Sequence, residues 1–547
     1  MLTIDAVVEN ARIRTLDPER PTAQRMGIWQ GRIIGFDEEL DGIAARQCFD
    51  LQGAPVLPGF HDAHNHLSKT GERLAAVNLR PTAVKTLDEL YQAIAEHAAT
   101  LAPDAWIRAA GYDQNALGDH PSAEELDKVC GGRPAILEHV SGHMIVANTA
   151  AFERAGWADR LNVPDVDGGR VVRDDQQRAH GLLEEKAMGL IMSLVRPSPE
   201  EEVIHWLDLG SRQALSYGLT TITEPGAGDP HAIGNSPLDF HYYQRALEQG
   251  LLGTRMVLMP YCGTLHELPE IKDSFGLDLG IRTGLGDDRL RVGPVKIWSD
   301  GSYIGRSAAM HRCYVGEPEN TGYLQYAESD LRRMIIQGHL TGWTVATHAI
   351  GDAAIDHVLD AFAEAQRLLP RPEVRHRIEH FALTSPEQVE RAAQLGVVPV
   401  PQGVFISDFG DGMAASTDEE LHGGIYRLKS LLKAGHVLPG STDSPVSDAN
   451  PLRCIHDMVN RRTASGALLG PEERLTVQEA VQAYTYGSAY AAGAEKDMGS
   501  LSTGKLADFI VLSDDLFSVA EEKISQVDVG ATFVGGELVY NEAGINA

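Results

Sequence analysis

Between residues 57 and 497 the chain carries eight apolar, strand-like runs, most of them followed by an amphipathic stretch such as EEVIHWLDLGSRQALSYG. Both ends of the chain read instead as short strands joined by turns. These observations predict an α/β protein: a closed parallel (β/α)8 TIM barrel, a small β-sandwich built from both chain termini, and an insertion after the first barrel strand. The expected parts are a composite β-sandwich domain (1–56 and 498–547), the barrel (57–497), and an insertion subdomain (70–205) that caps the active site.

Each element has its own signal. Residues 1–56 alternate polar and apolar through AVVENARIRTL, turn at Asp17-Pro18, and continue as MGIWQGRIIGF, where Gly31 marks a hairpin. The first barrel strand leads into VLPGFHDAHNHL (56–67). About 150 residues then precede the second strand, far more than a bare loop needs. They include a helical stretch (TLDELYQAIAEHAATLA) and strand-like ones (AWIRAAGY, RPAILEHV), hence the insertion. The remaining strands are GLTTITEPGA (218–227), TRMVLMPYC (254–262), RVGPVKIWSDGS (291–302), TVATHAIGD (344–352), RHRIEHFA (375–382), GVVPVPQG (396–403) and VLPGSTDSP (437–445). The closing segment, ADFIVLS and VDVGATFVGGELVY, carries a second hairpin signal at Gly535-Gly536.

Composition narrows the partners. A net charge of −30, from 47 basic and 77 acidic side chains, repels nucleic acid and anionic lipid. The five cysteines are odd in number and include no C-x-x-C pair, which argues for reduced thiols and a cytoplasmic setting. The N-terminus has a strand pattern rather than that of a signal peptide, and no apolar run approaches the roughly 20 residues that span a bilayer. A small-molecule substrate and a homo-oligomeric, dimeric assembly are expected.

The chemistry starts at His64 and His66. At i and i+2 on an extended strand, two imidazoles leave one face with Cα atoms roughly 6.7 Å apart and can converge on one metal ion. Such a pair is an incomplete site, so further ligands must come from other strand ends. In a barrel these positions hold Lys296, His348, His380 and Asp443. The resulting N/O set suits zinc or a similar divalent ion. Lys296 must lose its proton to sit there, which burial and nearby cations favour. Its neutral amine can then add carbon dioxide and become a carbamate that bridges two ions; the alternative is an ion pair with Asp300. His376 lies four residues before His380, but the pair lacks the His-Glu-x-x-His pattern, and Pro372 and the alternation in RHRIEHFA favour a strand. His380 is therefore expected as a ligand and His376 as a surface residue.

In order and strand context, PGFHDAHNHL, GHMIVANTAAFERAG, VKIWSDGS, THAIGD, RIEHF, GSTDSPV and GSLSTGKLADFIVL resemble the metal-dependent amidohydrolases of family 3, the branch that contains N-substituted formamide deformylases. The resemblance covers nearly the whole chain. It implies that His64, His66 and Asp443 hold one metal ion and that His348 and His380 hold a second, with Lys296 as the carboxylated bridge. It also implies hydrolysis of a non-peptide C–N bond, with Asp443 as general base and then acid, and zinc as the metal. His143, Asn148, Glu184, Asp300 and Arg306 are the candidate substrate contacts. Two stretches depart from the family pattern: SYIGRSAAMH follows the fourth strand, and Gly111-Tyr112-Asp113 replaces Gly-Trp-Asp. The competing readings are a mononuclear deaminase on the same barrel, which commonly carries His-x-Glu where this chain has His348-Ala349-Ile350, and a non-catalytic scaffold.

Overall fold

Gln30 and Gly31 adopt left-handed φ angles of 50° and 73°, which closes the antiparallel hairpin between Met26–Trp29 and Arg32–Phe36. Gly535 and Gly536 do the same, at 59° and 78°, between Val529–Val534 and Glu537–Asn541. The computed structural model describes all residues except 1, 2, 82, 141–143, 168, 231–233, 272, 273 and 547. It divides the chain into two units, Met1–Leu67 with Ser211–Ala547, and Ser68–Gly210. The second runs slightly wider than the insertion expected over 70–205.

In the first unit the chain ends share one sheet. Its six strands run in the order Glu537–Asn541, Val529–Val534, Phe509–Leu512, Pro55–Pro58, Arg12–Asp17 and Arg20–Ala23. Pro55–Pro58 is the seam, parallel to Arg12–Asp17 and antiparallel to Phe509–Leu512. A four-stranded sheet (Arg32–Phe36, Met26–Trp29, Thr3–Glu9, Ala44–Asp50) adds Val8, Met26, Ile33, Phe36 and Phe49 to the apolar core that also takes Ile13, Val56, Phe509 and Phe533.

The same unit contains two four-stranded, all-parallel sheets. One is ordered Leu290–Val292, Arg255–Pro260, Leu219–Ala227, Phe60–Asp62; the other is ordered Val295–Trp298, Val345–Ala349, Arg377–His380, Val398–Val400. Helices that include Asp239–Glu248, Glu328–Leu340, Asp352–Leu368 and Pro386–Gln394 follow the strands. The fourth expected strand is thus split at Gly293-Pro294, and its halves serve different sheets. The eighth expected strand, 437–445, forms no regular ladder, because Asp443 is left-handed (φ +57°) and prolines flank the segment. Its backbone still pairs at two points, Ala63 N to Gly440 O at 3.0 Å and Asp443 N to His64 O at 2.7 Å. His376, expected at the surface, is buried: it stacks on Phe362 and hydrogen-bonds His339 at 2.8 Å.

The second unit has its own six-stranded mixed sheet, ordered Gly169–Arg173, Ala179–Glu185, Met144–Ala147, Ala135–His139, Ile107–Tyr112, Val77–Asn78. Leu90 and Ile94 of helix Leu87–Ala98 and Leu126 of helix Ala123–Val129 pack with Ile107, Leu137 and Val146 in its core. Among the described residues no helix is long and apolar enough to cross a membrane.

One buried ion pair ties a parallel strand to the terminal sheet. Arg255 donates to Asp508 through Nε at 2.7 Å and Nη2 at 2.9 Å, and Asp508 also accepts from Gly535 N at 2.7 Å. Asp508→Leu leaves a buried guanidinium with only the half-exposed Asp288 as partner. It is expected to destabilise the protein by about 3 kcal/mol, the low end for a broken buried pair. A lowered urea midpoint at unchanged denaturant slope checks this; an unmoved midpoint would show that Asp288 suffices.

Candidate metal centre

The centre is built where strand Phe60–Asp62 ends. Asp62 is fully buried, and its carboxylate accepts from His64 N (3.1 Å), Asn65 Nδ2 (3.0 Å), Thr442 N (3.1 Å) and Thr442 Oγ1 (2.5 Å). Burial raises its pKa to about 6 despite these donors. Asp62 thereby fastens the His64 loop to the Thr442–Asp443 segment.

His64 Nδ1 hydrogen-bonds Glu379 Oε2. Glu379 is fully buried, yet its pKa lies far below the usual carboxylate range: burial opposes ionisation, but Arg377 and His64 outweigh it. Arg377 donates to both Glu379 oxygens at 2.8 Å and to Ala63 O at 2.7 Å. An ionised acceptor at Nδ1 fixes the proton there and leaves the Nε2 lone pair free. That lone pair lies 3.3 Å from Asp443 Oδ1, and His66 Nε2 lies 3.2 Å from the same oxygen. Single ligand atoms of His64, His66 and Asp443 all fall within 4.8 Å of one another, the only such group among the described residues.

Two acceptors facing each other in a buried site require a cation between them. Without a metal ion a proton serves: burial disfavours it, but Asp443 and Glu224 raise His66 to about 9. Glu224, on strand Leu219–Ala227, lies 3.5 Å from His66 Nδ1 and accepts from Tyr243 at 2.7 Å. The same negative surroundings that draw this proton fit a divalent cation on an N/O donor set.

His348 and His380 stand beside this group, with ring centroids 4.5 Å apart and His380 at 5.1 Å from His64. Gln402 sets the His380 tautomer. Its amide nitrogen donates to Val400 O and Ser441 Oγ, both at 3.0 Å, so its oxygen receives His380 Nδ1–H at 2.8 Å and Nε2 keeps its lone pair. His348 Nε2 faces two acceptors, Gly301 O (3.1 Å) and Asp300 Oδ1 (3.3 Å), which leaves the lone pair on Nδ1. Lys296 is buried and makes no hydrogen bond or ion pair with a described residue. Burial above all lowers its pKa to about 8, against the pull of Glu379 and Asp443.

The residues expected as substrate contacts have the following partners in the structure. Asp300, which does not pair with Lys296, accepts from the backbone of Ala309, Ile350 and Gly351 and so joins two strand ends. Arg306 pairs with Glu317 at 2.6 Å. Asn148 caps helix Thr149–Arg154 through Ala151 N and also bonds Ala135 N and Arg133 O, so both ends of its amide serve the second unit's own fold. Glu184 pairs with Arg170 at 3.4 Å. His143 lies outside the described residues. Sequence reasoning passed over Asp62, Glu224, Arg377, Glu379 and Gln402, all buried at the centre. The usable signal was a charged or amide residue inside an otherwise apolar strand, as in TITEPG and RIEHF.

Comparison with known proteins agrees with this geometry. Residues 47–540 match the model of the "Amidohydrolase family". The N-substituted formamide deformylase of Arthrobacter pascens is 30% identical over 561 aligned positions, 99% of each chain. The putative amidohydrolase YtcJ of Bacillus subtilis is 28% identical over 90% of each chain. Among solved structures, an uncharacterized metal-dependent hydrolase from Pyrococcus horikoshii superposes with a TM-score of 0.77 at 26% identity, covering 94% of this chain and 99% of that one. The chain therefore belongs to the amidohydrolase family, as a metal-dependent hydrolase of carbon–nitrogen bonds other than peptide bonds.

Proposed function

We propose that this amidohydrolase cleaves a small N-acyl or cyclic amide, using two divalent ions, zinc for preference, held by His64, His66, Lys296, His348, His380 and Asp443. The observation that carries the reading is the meeting of His64 Nε2 and His66 Nε2 on one oxygen of Asp443, an arrangement that calls for a cation. His64, His66 and Asp443 would hold one ion and His348 and His380 the other. Lys296 would serve both as a carbamate: its neutral amine adds carbon dioxide, a C–N bond forms, and one proton leaves to solvent. A buried lysine that makes no hydrogen bond or ion pair with a described residue, its pKa lowered to about 8, supports that assignment.

Bound ions would polarise the substrate carbonyl and lower the pKa of a water molecule to near neutrality. The residues do the rest. Glu379 and Gln402 hold two imidazoles in the tautomers that present Nε2. Burial opposes ionisation of Asp443, but the proton that His66 draws to the site holds its pKa well below the ordinary range. Asp443 takes a proton from the attacking water and delivers it to the leaving nitrogen, which departs poorly as an anion.

The same reading closes the two parallel sheets into one (β/α)8 barrel. The Tyr261–Lys296 bridge supports one seam, and the bonds from Ala63 N and Asp443 N support the other. The shared apolar core supports a β-sandwich of the terminal sheets. Five unpaired cysteines support a reducing, cytoplasmic setting.

Protein purified without chelator should contain about two divalent ions per chain by elemental analysis, and removing them should abolish turnover until they are restored. Lys296→Ala should retain fewer ions and recover partly with acetate or propionate. The substrate test is a panel of N-formyl and other N-acyl amines, hydantoins, lactones and aminopurines, with formamides first because the Arthrobacter relative is named for them. Amine and acid release is expected; ammonia from aminopurines without amide turnover would move the chain to the deaminases. Asp443→Asn should lower kcat by roughly 10²- to 10⁴-fold, while the other ligands retain at least one ion. Near-normal turnover in that variant would remove Asp443 from the proton path.

A further inference from the structure

His339 and His376 take no part in the metal centre, yet the fold specifies the proton on each of them. Both are buried. His376 immediately precedes strand Arg377–His380, and His339 lies in the last turn of helix Glu328–Leu340. His376 Nδ1 accepts from the N–H of Val345, the first residue of strand Val345–Ala349, at 3.0 Å, so its own proton is on Nε2. Nε2 donates that proton to His339 Nδ1 at 2.8 Å. His339 Nε2 in turn donates to Leu369 O at 2.7 Å, just past helix Asp352–Leu368. Both imidazoles are then neutral, and every ring nitrogen has its partner.

No further proton fits this chain of bonds. Added at His376 Nδ1 it would face the Val345 N–H, and added at His339 Nδ1 it would face the His376 Nε2–H. Either way two donors meet and a buried hydrogen bond is lost. The charged neighbours oppose the proton as well. Arg371 donates to His339 O and Trp343 O, each at 2.8 Å, and to Gly342 O at 3.0 Å, and it pairs with no carboxylate among the described residues. Arg282 adds positive charge beside Arg371. Arg375 and Arg377, on either side of His376, are matched by Glu495 and Glu379. Helix Asp352–Leu368 turns the uncharged Phe362 ring to His376, stacked at 4.7 Å. Burial foremost lowers the pKa of both imidazoles; His339 and Arg371 lower that of His376 further, and Arg371 that of His339 against the pull of Leu369 O.

The pair ties together strands that lead to the centre: Val345–Ala349 carries His348, and Arg377–His380 carries Glu379 and His380. We propose that His339 and His376 form an acid-sensitive latch, which holds the starts of these two strands to their flanking helices only while both imidazoles are neutral. When the latch opens, each ring meets water and takes up a proton near its ordinary pKa of about 6.5. The closed form therefore binds two fewer protons than the open one. Its advantage is whole above about pH 6.5 and falls as the pH drops below that value, by about tenfold per histidine at pH 5.5 and about 10²-fold for the pair. The latch is independent of the substrate and of the number of metal ions.

Amide hydrogen exchange of the full-length, metal-loaded protein at about pH 7.5 and 5.5, corrected for the intrinsic exchange rate, reads the opening directly. Peptides that cover Val345 and residues 376–380 should lose about 10²-fold in protection at the lower pH, while strand Leu219–Ala227 and the terminal sheet keep theirs. His339→Gln removes one titrating ring, and its amide can still donate to Leu369 O. In that variant the loss should be smaller by about tenfold or more, with metal content equal to that of the wild type at both pH values. Undiminished protection in the wild type overturns the latch, as does a loss shared equally by strand Leu219–Ala227. Equal losses in the wild type and His339→Gln also overturn it. Should the variant fail to fold, the wild-type comparison between strands still decides.

Discussion

The charge on Glu379 orients the rest of the centre. A carboxylate without access to water ordinarily takes up a proton. Here Arg377 grips both oxygens and keeps it ionised, and it also holds Ala63 O on the neighbouring chain segment. Only an ionised Glu379 makes His64 Nδ1 a donor, and only then does His64 Nε2 face Asp443 as a lone pair. Such a triplet adds little net stability, because desolvation offsets most of the Coulomb attraction. Its effect is on geometry. It joins the end of strand Phe60–Asp62 to strand Arg377–His380 and removes the freedom of an imidazole that must point in one direction.

The centre then follows from an excess of lone pairs. Asp443 and the Nε2 atoms of two imidazoles converge, with Glu224 on the far nitrogen of His66; Arg377 is already committed to Glu379, and burial lowers the pKa of Lys296 to about 8. A proton on His66 satisfies the set electrostatically but not geometrically, since it can bridge only one pair of atoms. A divalent ion satisfies several donors at once. The proton path and the metal-binding path thus compete for the same oxygen of Asp443.

Much of this was legible in the sequence for reasons of spacing. The i, i+2 histidines on a strand end, and strand-end positions in chain order, are enough to bring His64, His66 and Asp443 onto one list, and the structure brings them together. The hairpins at Gly31 and Gly535-Gly536 were legible because only certain residues accept left-handed φ. The less legible parts depend on tertiary partners. His376 looks solvent-facing beside Arg375 and Arg377, but His339 and Phe362, which bury it, are remote in sequence. The local bonds of Asn148 were not legible either: its amide oxygen caps a helix through Ala151 N and also accepts from Ala135 N, 13 residues away. Glu379 was obscured by the stronger signal of the adjacent His380, and nothing in PVPQGV marks Gln402, whose histidine partner is 22 residues away.

Backbone strain accounts for what remained. Non-glycine residues with positive φ elsewhere in the first unit include Asn10, Gln30 and Gln52, polar residues in turns between strands. At the centre they are His380 (+71°), the adjoining Phe381 (+46°) and Asp443 (+57°). Such conformations cost of order 1–3 kcal/mol each and persist only where the surrounding structure enforces them. Their effect is to break strand alternation. On a regular strand Glu379 and His380 would leave opposite faces; here Glu379 bonds His64 while the His380 ring lies 5.1 Å from that same imidazole. The left-handed turn at Asp443 likewise ends any ladder the eighth run might form and brings its carboxylate to both histidines. The irregular eighth segment and the convergent ligand set therefore have one cause, and a sequence that restored regular strand geometry at Asp443 would gain hydrogen bonds and lose the centre.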